Sequence, residues 1–174
     1  MHIEYNQTRP KDVPVPEGCR KLAFVHIGYG ERSGYATYGK MGPVFGPKRI
    51  PVTIAELKKL GFSGFQAYSE GLFDDVNKMV LAGLASGWHP TPDAALRAYA
   101  GRYLGAKEAD AARWVSLLKQ CVDPVNPTEL REELDSLGRN EATNWRIKQW
   151  RSRLDLVEHE RVKDAERFLD AQDK

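Results

Sequence analysis

VTIAELKKLGFSGFQAYSEG, residues 52–71, holds the signals of a short helix followed by a short strand. Thr53 and Glu56 stand at capping-box spacing, Ile54, Leu57 and Leu60 fall on one helical face, and Gly61 marks the helix end. Beyond it, Phe65, Ala67 and Tyr68 extend a strand that finishes at Glu70 and Gly71. Upstream, residues 21–27 read KLAFVHI, a mostly apolar run with β-branched Val25 and Ile27, the pattern of a buried strand. Strand, crossover helix and strand make a β–α–β unit, with parallel strands when the connection is right-handed. Folds of this kind gather their chemistry at the carboxyl ends of the strands, which here lead into Glu31 and Glu70.

Between the two strands, residues 28–51 contain six glycines, three prolines and three tyrosines, too many breakers for a regular element. A connection this long is either functional or a cover over an apolar face, and its tyrosines suit a ligand-binding rim. Residues 1–20 read as an extended N-terminal arm. The chain after Gly71 is helical: a helix opening at Asp74 or Asp75, with one of the pair as cap; one capped by Thr91 ahead of Pro92; one over 106–120; one capped by Asn126 ahead of Pro127 and ended by Gly138; and a long one over 141–171. The expected class is therefore α/β, with a partial β/α barrel segment of two to three parallel strands over 21–90, followed by a helical region of about five helices over 91–174. Two parallel strands alone leave open edges and cannot cover both faces with one crossover, so the expectation is a piece of a larger protein.

Composition narrows the function classes. The 174 residues carry 26 Lys and Arg against 24 Asp and Glu, a net charge of +2 that predicts neither a nucleic-acid nor a membrane surface. The first twenty residues lack the apolar core of a secretory signal, and no run approaches 18 apolar residues, so no membrane span is expected and the chain is expected to stay in the cytoplasm. Cys19 and Cys121 offer no metal or redox spacing, and two unrelated thiols are expected rather than a bridge. No metal motif, nucleophile elbow or phosphate loop occurs, and GYGERSG has Ser33 where a dinucleotide fingerprint needs its third glycine. No cofactor is expected.

What remains is carboxylate chemistry. Glu70 follows a strand and precedes a turn-permitting glycine, and two carboxylates held about 5 to 9 Å apart can hydrolyse a glycosidic bond. Its partner acid is either Glu31, from the neighbouring strand end, or Asp75, across the turn. Arg32, Asn77 and Lys78 are the nearby donors for a substrate. Tyr29 on the loop, Tyr68 at the strand end, Asp74 beside it and Trp88 ahead of His89 complete the binding set. On the last helix, Arg139, Arg146, Lys148, Arg151 and Arg153 surround Trp145 and Trp150, but the acids that follow can pair with them along the same helix, so a packed, ion-laced helix is expected and nucleic acid is not.

The segment AYSEGLFDDVNKMVLAGLASGWHPTPDAALRAYAGRYLG, residues 67–105, resembles the closing part of the catalytic region in large bacterial glycoside hydrolases with a TIM barrel followed by helices. The matching residues are Tyr68 to Gly71, Asp74 to Lys78, Trp88 and Pro90, and Tyr99 to Gly105. The resemblance implies that 21–27 and 64–68 are late barrel strands, that Glu70 faces a sugar site with Asp74 and Asn77 close behind, and that the final helices pack beside the barrel. It also implies carbohydrate and the remainder of a barrel as partners. A whole barrel takes about 250 residues, so this chain alone is expected to be inactive. The competing class is a noncatalytic helical interaction module that self-associates or docks through its last helix and tryptophans.

Overall fold

A computed structural model describes residues 14–27, 45–69, 74–141 and 143–172. Among them lie two strands and six α-helices: β1 Leu22–His26, α1 Arg49–Lys59, β2 Gly64–Tyr68, α2 Asp75–Ser86, α3 Pro92–Tyr103, α4 Ala111–Gln120, α5 Pro127–Leu137 and α6 Trp145–Gln172. The class is α/β with mostly helical content. β1 and β2 pair in parallel, from Leu22 opposite Gly64 to His26 opposite Tyr68, and no third strand joins them among the described residues.

Strand alternation gives this sheet two unlike faces. Ala23, Val25 and Ile27 are buried and join Ile54 and Leu57 of α1 and Val76 and Val80 of α2 in one hydrophobic cluster, with half-buried Phe65 against it. The opposite face carries Leu22, 65% exposed, then Phe24, Gln66 and Tyr68. Helices thus cover one side of the sheet. The same cluster continues through Leu96 and Tyr99 of α3, Trp114 and Leu118 of α4, Leu134 of α5 and Ile147, Trp150 and Leu154 of α6.

Several helix ends follow local chemistry. Thr91 Oγ1 accepts from Ala94 N–H at 3.2 Å and Asn126 Oδ1 from Glu129 N–H at 3.3 Å, each with proline at the first helical position. Others depart from expectation. α1 begins at Arg49, so the Thr53 and Glu56 pair is interior and caps nothing; Thr53 Oγ1 donates to the Arg49 carbonyl at 3.0 Å. Pro51 permits this early start because the first turn's N–H groups have no intrahelical acceptor to lose. Gly61, with φ of 73°, ends α1 as expected. α4 starts at Ala111 rather than 106, after a 3-10 turn at Glu108–Asp110, and α6 starts at Trp145 rather than 141, after a 3-10 turn at Arg139–Glu141.

The arginines of α6 reach across to other elements. Arg153 donates to the Cys121 and Val122 carbonyls at 3.1 Å each, fastening α6 to the turn that follows α4. Arg151 binds Asp135 of α5, while Arg131 of α5 binds Asp155 of α6 at 2.9 Å. Among the described residues these pairs run between helices rather than along α6, because α5 lies against α6 and offers acids at its seam. The packed, ion-laced helix otherwise holds, with Trp150 buried and Trp145 half exposed.

Both cysteines are free, Cys19 exposed and Cys121 buried. Burial pushes the Cys121 thiol up to about 12, against the charge of Arg153. A native thiol titration should therefore label one cysteine per chain, Cys19, and a denatured one should label two; rapid native labelling of both would contradict this packing. Because the unfolded thiol ionises near 9.0 and the folded one only near 12, the contribution of Cys121 to stability is full below pH 9 and is lost as the pH climbs toward 12.

Candidate functional site

The carboxyl ends of β1 and β2 meet the N-terminus of α2, and one side chain organises the junction. Asn77, 1% exposed, donates from Nδ2 to the Ile27 carbonyl at 2.8 Å and accepts at Oδ1 from the Gly46 N–H at 2.9 Å. It joins the end of β1, the segment ahead of α1 and the first turn of α2. Ile27 N–H in turn donates to the Tyr68 carbonyl at 2.8 Å, so the strand ends stay paired up to the point where both chains leave the sheet.

Around this pin stand the polar groups. His26 is buried and meets the ring of Tyr68 edge-on at 5.0 Å, and Tyr68 also stacks on Phe24 at 5.9 Å. Asp74 precedes α2 but makes no capping bond; Oδ1 pairs with Lys78 Nζ at 2.8 Å, one helical turn on. Its Oδ2 is buried with no hydrogen-bond partner among the described residues. A buried carboxylate oxygen lacking a donor is costly, on the order of 1–3 kcal/mol, which makes this oxygen a candidate acceptor at the junction.

Asp75 does something different. Its Oδ2 accepts from the Tyr99 hydroxyl at 3.0 Å and from Arg146 Nε, tying α2 to α3 and α6. Burial, followed by the charge and hydrogen bond of Asp75, raises the Tyr99 phenol well above its ordinary value. Burial works against the Arg146 charge, but the Asp75 hydrogen bond and charge outweigh it and hold the guanidinium above its usual range. Neither aspartate acts as the expected side-chain cap, because each has a stronger partner in a cation.

The structure brings Tyr68, Asp74, Asp75, Asn77 and Lys78 to one end of the fold. Of these, Asn77 faces backbone with both ends of its amide, a positioning contact in place of the expected substrate contact. Trp88, 79% exposed, lies beyond the other end of α2, about 18 Å of helix away, in a groove with Met79, His89 and Arg102. It does not join the strand-end group. Glu70, Glu31, Arg32 and Tyr29 lie outside the described residues. Sequence reasoning missed His26, Tyr99, Tyr103 and Arg146, and the last three come to the strand ends through helices 24 or more residues away in sequence, which no local pattern records. Among the described residues no cluster of acids, histidines and cysteines could hold a metal ion, and no helix is long and apolar enough to cross a membrane.

No family model, curated protein or solved structure matches this chain.

Two substitutions test the junction. Asn77→Ala should lower unfolding free energy by about 2–4 kcal/mol, since it strands a buried carbonyl and a buried N–H at about 1–3 kcal/mol each. A loss within 0.5 kcal/mol in denaturant titration would contradict that role. Asp75→Asn should cost about 1–3 kcal/mol, the range for hydrogen bonds to charged groups, and the loss should be non-additive with Arg146→Ala in a double-mutant cycle.

Proposed function

We propose that this chain forms part of a carbohydrate site of glycoside hydrolase type, supplying late strands of a β/α barrel and Glu70 as the ligand-facing carboxylate. The observation that carries the reading is the buried Asp74 Oδ2, which has no hydrogen-bond partner among the described residues, at the carboxyl ends of two parallel strands. Sugars are dense in hydroxyl donors, and such a donor is what this oxygen lacks among the described residues. The sheet supports the same reading, since its helices cover one face and leave Leu22, Gln66 and Tyr68 on the other, as lumen-facing residues of a barrel would be before the remaining strands close over them.

In this reading Glu70 is the acid or base of hydrolysis, and Glu31 is its partner, because the Asp75 carboxylate is already occupied by Arg146 and Tyr99. Asp74 and Lys78 bind hydroxyls, Asn77 fixes the strand end that presents them, and Arg32, Tyr29 and Tyr68 line the rim. Glycoside hydrolysis needs both carboxylates in a closed, preorganised cleft, so the 174-residue chain on its own binds rather than turns over. Of the two tryptophans that the interaction-module alternative invokes, Trp150 is core while Trp145 keeps 49% of its surface exposed, so that alternative retains one indole for a partner.

The decisive experiment begins with the genomic reading frame ahead of Met1. The expected finding is an in-frame coding region rich in βα units, whose product joined to this chain releases reducing sugar from oligosaccharides. Glu70→Gln in that product should reduce the rate about 10²–10⁴-fold. A stop codon and ribosome-binding site directly ahead of Met1, or activity indifferent to Glu70→Gln, would overturn the proposal. Reducing-sugar release by the 174-residue chain itself, lost on Glu70→Gln, would show a complete enzyme instead.

A further inference from the structure

A groove runs between α2 and α3, away from the strand ends. Met79, Ala82 and Gly83 stand three and four residues apart on one face of α2, and Ala98 and Arg102 stand four apart on one face of α3. Trp88 and His89, from the turn that joins the two helices, complete the lining. The groove measures about 530 Å³, within the range of roughly 300–1,000 Å³ that small ligands occupy.

The joining turn is tied to α2 at each step. Gly87, with φ of 76°, ends the helix. Ser86 Oγ donates to the Ala82 carbonyl at 2.7 Å and accepts from the Trp88 N–H at 3.4 Å, and the His89 N–H donates to the Gly83 carbonyl at 3.0 Å. The His89 ring rests on the α2 backbone at Gly83, where any Cβ would collide with the imidazole, so glycine is what lets the ring lie there. Both aromatic side chains thus leave from a fixed backbone, and the Trp88 indole remains 79% exposed.

The charge of the groove is one-sided. Arg102 is the only formally charged residue in its lining among the described residues. The acids of α2 and α3, Asp75 and Asp93, are held elsewhere by Arg146 and Lys119, and the other arginine of α3, Arg97, pairs with Glu108. Arg102 makes no ion pair among the described residues; its guanidinium stands 5.6 Å from the Tyr103 ring. The rest of the lining is mostly carbon, with Met79 and Trp88 as walls and small residues between them. An apolar groove with one cation that has no counter-ion fits a ligand that is apolar over most of its length and anionic at one end.

We propose that the α2–α3 groove binds a small aromatic carboxylate, with the carboxylate on the Arg102 guanidinium and the ring against Trp88 and Met79. The guanidinium fork matches a carboxylate bidentately, while the indole and the thioether are favourable neighbours for an aromatic ring. This site is separate from the strand-end carbohydrate reading and does not depend on it.

The test is a titration of the full chain with 3-phenylpropanoate, its neutral amide and propanoate, followed by calorimetry and by the NMR signals of the tryptophan indole N–H groups. The aromatic acid should bind saturably, with a Kd on the order of 1 mM or tighter, and should shift the Trp88 signal. The amide and propanoate should bind at least about tenfold more weakly, the first for want of charge and the second for want of a ring. Trp88→Ala and Arg102→Gln should each weaken the acid at least about tenfold, and Arg102→Gln should also erase the preference for acid over amide. Trp145→Phe should leave binding intact. Both altered groove residues are exposed, and thermal unfolding of each variant separates lost binding from lost folding. Failure of the aromatic acid to bind saturably, equal binding of the amide, or affinity unchanged in Arg102→Gln would each overturn the proposal. The carbohydrate reading, which concerns the other end of α2, is untouched by any of these results.

Discussion

The amide of Asn77 is the constraint around which this fold is arranged. A single side chain on α2 holds the Ile27 carbonyl, just past β1, and the N–H of Gly46, two backbone points on either side of a connection nearly twenty residues long. Without it, β1 could end and α1 could begin without any fixed relation to α2. An isolated parallel pair of strands has few internal hydrogen bonds, so such side-chain pins and the apolar packing of α1 and α2 decide where it sits. The polar groups near the strand ends inherit their geometry from this junction. Asp74 and Asp75 differ in role because the helix that begins there turns one toward Lys78 and the other toward α3 and α6.

The helical region is held by a division of labour between apolar packing and arginine. Trp114, Leu118, Leu134, Ile147, Trp150 and Leu154 form the buried stripe, and the ion pairs lie at its margins where most of the side chains remain half exposed. Exposed pairs of this kind contribute at most about 1 kcal/mol each, far less than burying a tryptophan, so they set register more than stability. Arg153 and Arg146 differ from the others. Arg153 is largely buried and holds the turn that follows α4, with burial lowering its affinity for the proton, and Arg146 binds an aspartate and two aromatic rings.

Much of the architecture was legible in the residues. The apolar run at 21–27, the period of 52–61 and the strand at 64–68 appear as β1, α1 and β2 in parallel, and the caps at Thr91 and Asn126 lie where the sequence puts them. Helix starts were less legible, because Pro51 and the 3-10 turns at 108–110 and 139–141 shift boundaries through tertiary packing that no capping pattern encodes. Of the candidate site, the gathering of Tyr68, Asp74, Asp75, Asn77 and Lys78 follows from helix and strand periodicity. The separation of Trp88 follows from the direction of α2, which carries the turn after Ser86 away from the strand ends. The union of Asp75 with Tyr99 and Arg146 spans 24 and 71 residues, and a single sequence holds no local trace of it.

The one-sided sheet also bears on how the polypeptide behaves in a test tube. Leu22, 65% exposed, and Tyr68, 45% exposed, put apolar surface on the sheet face opposite the one that α1 and α2 cover. With a net charge of only +2 there is little electrostatic repulsion between copies to keep such faces apart. When the polypeptide is overproduced, contact between such faces of separate copies makes solubility rather than intrinsic foldedness the limit on its yield.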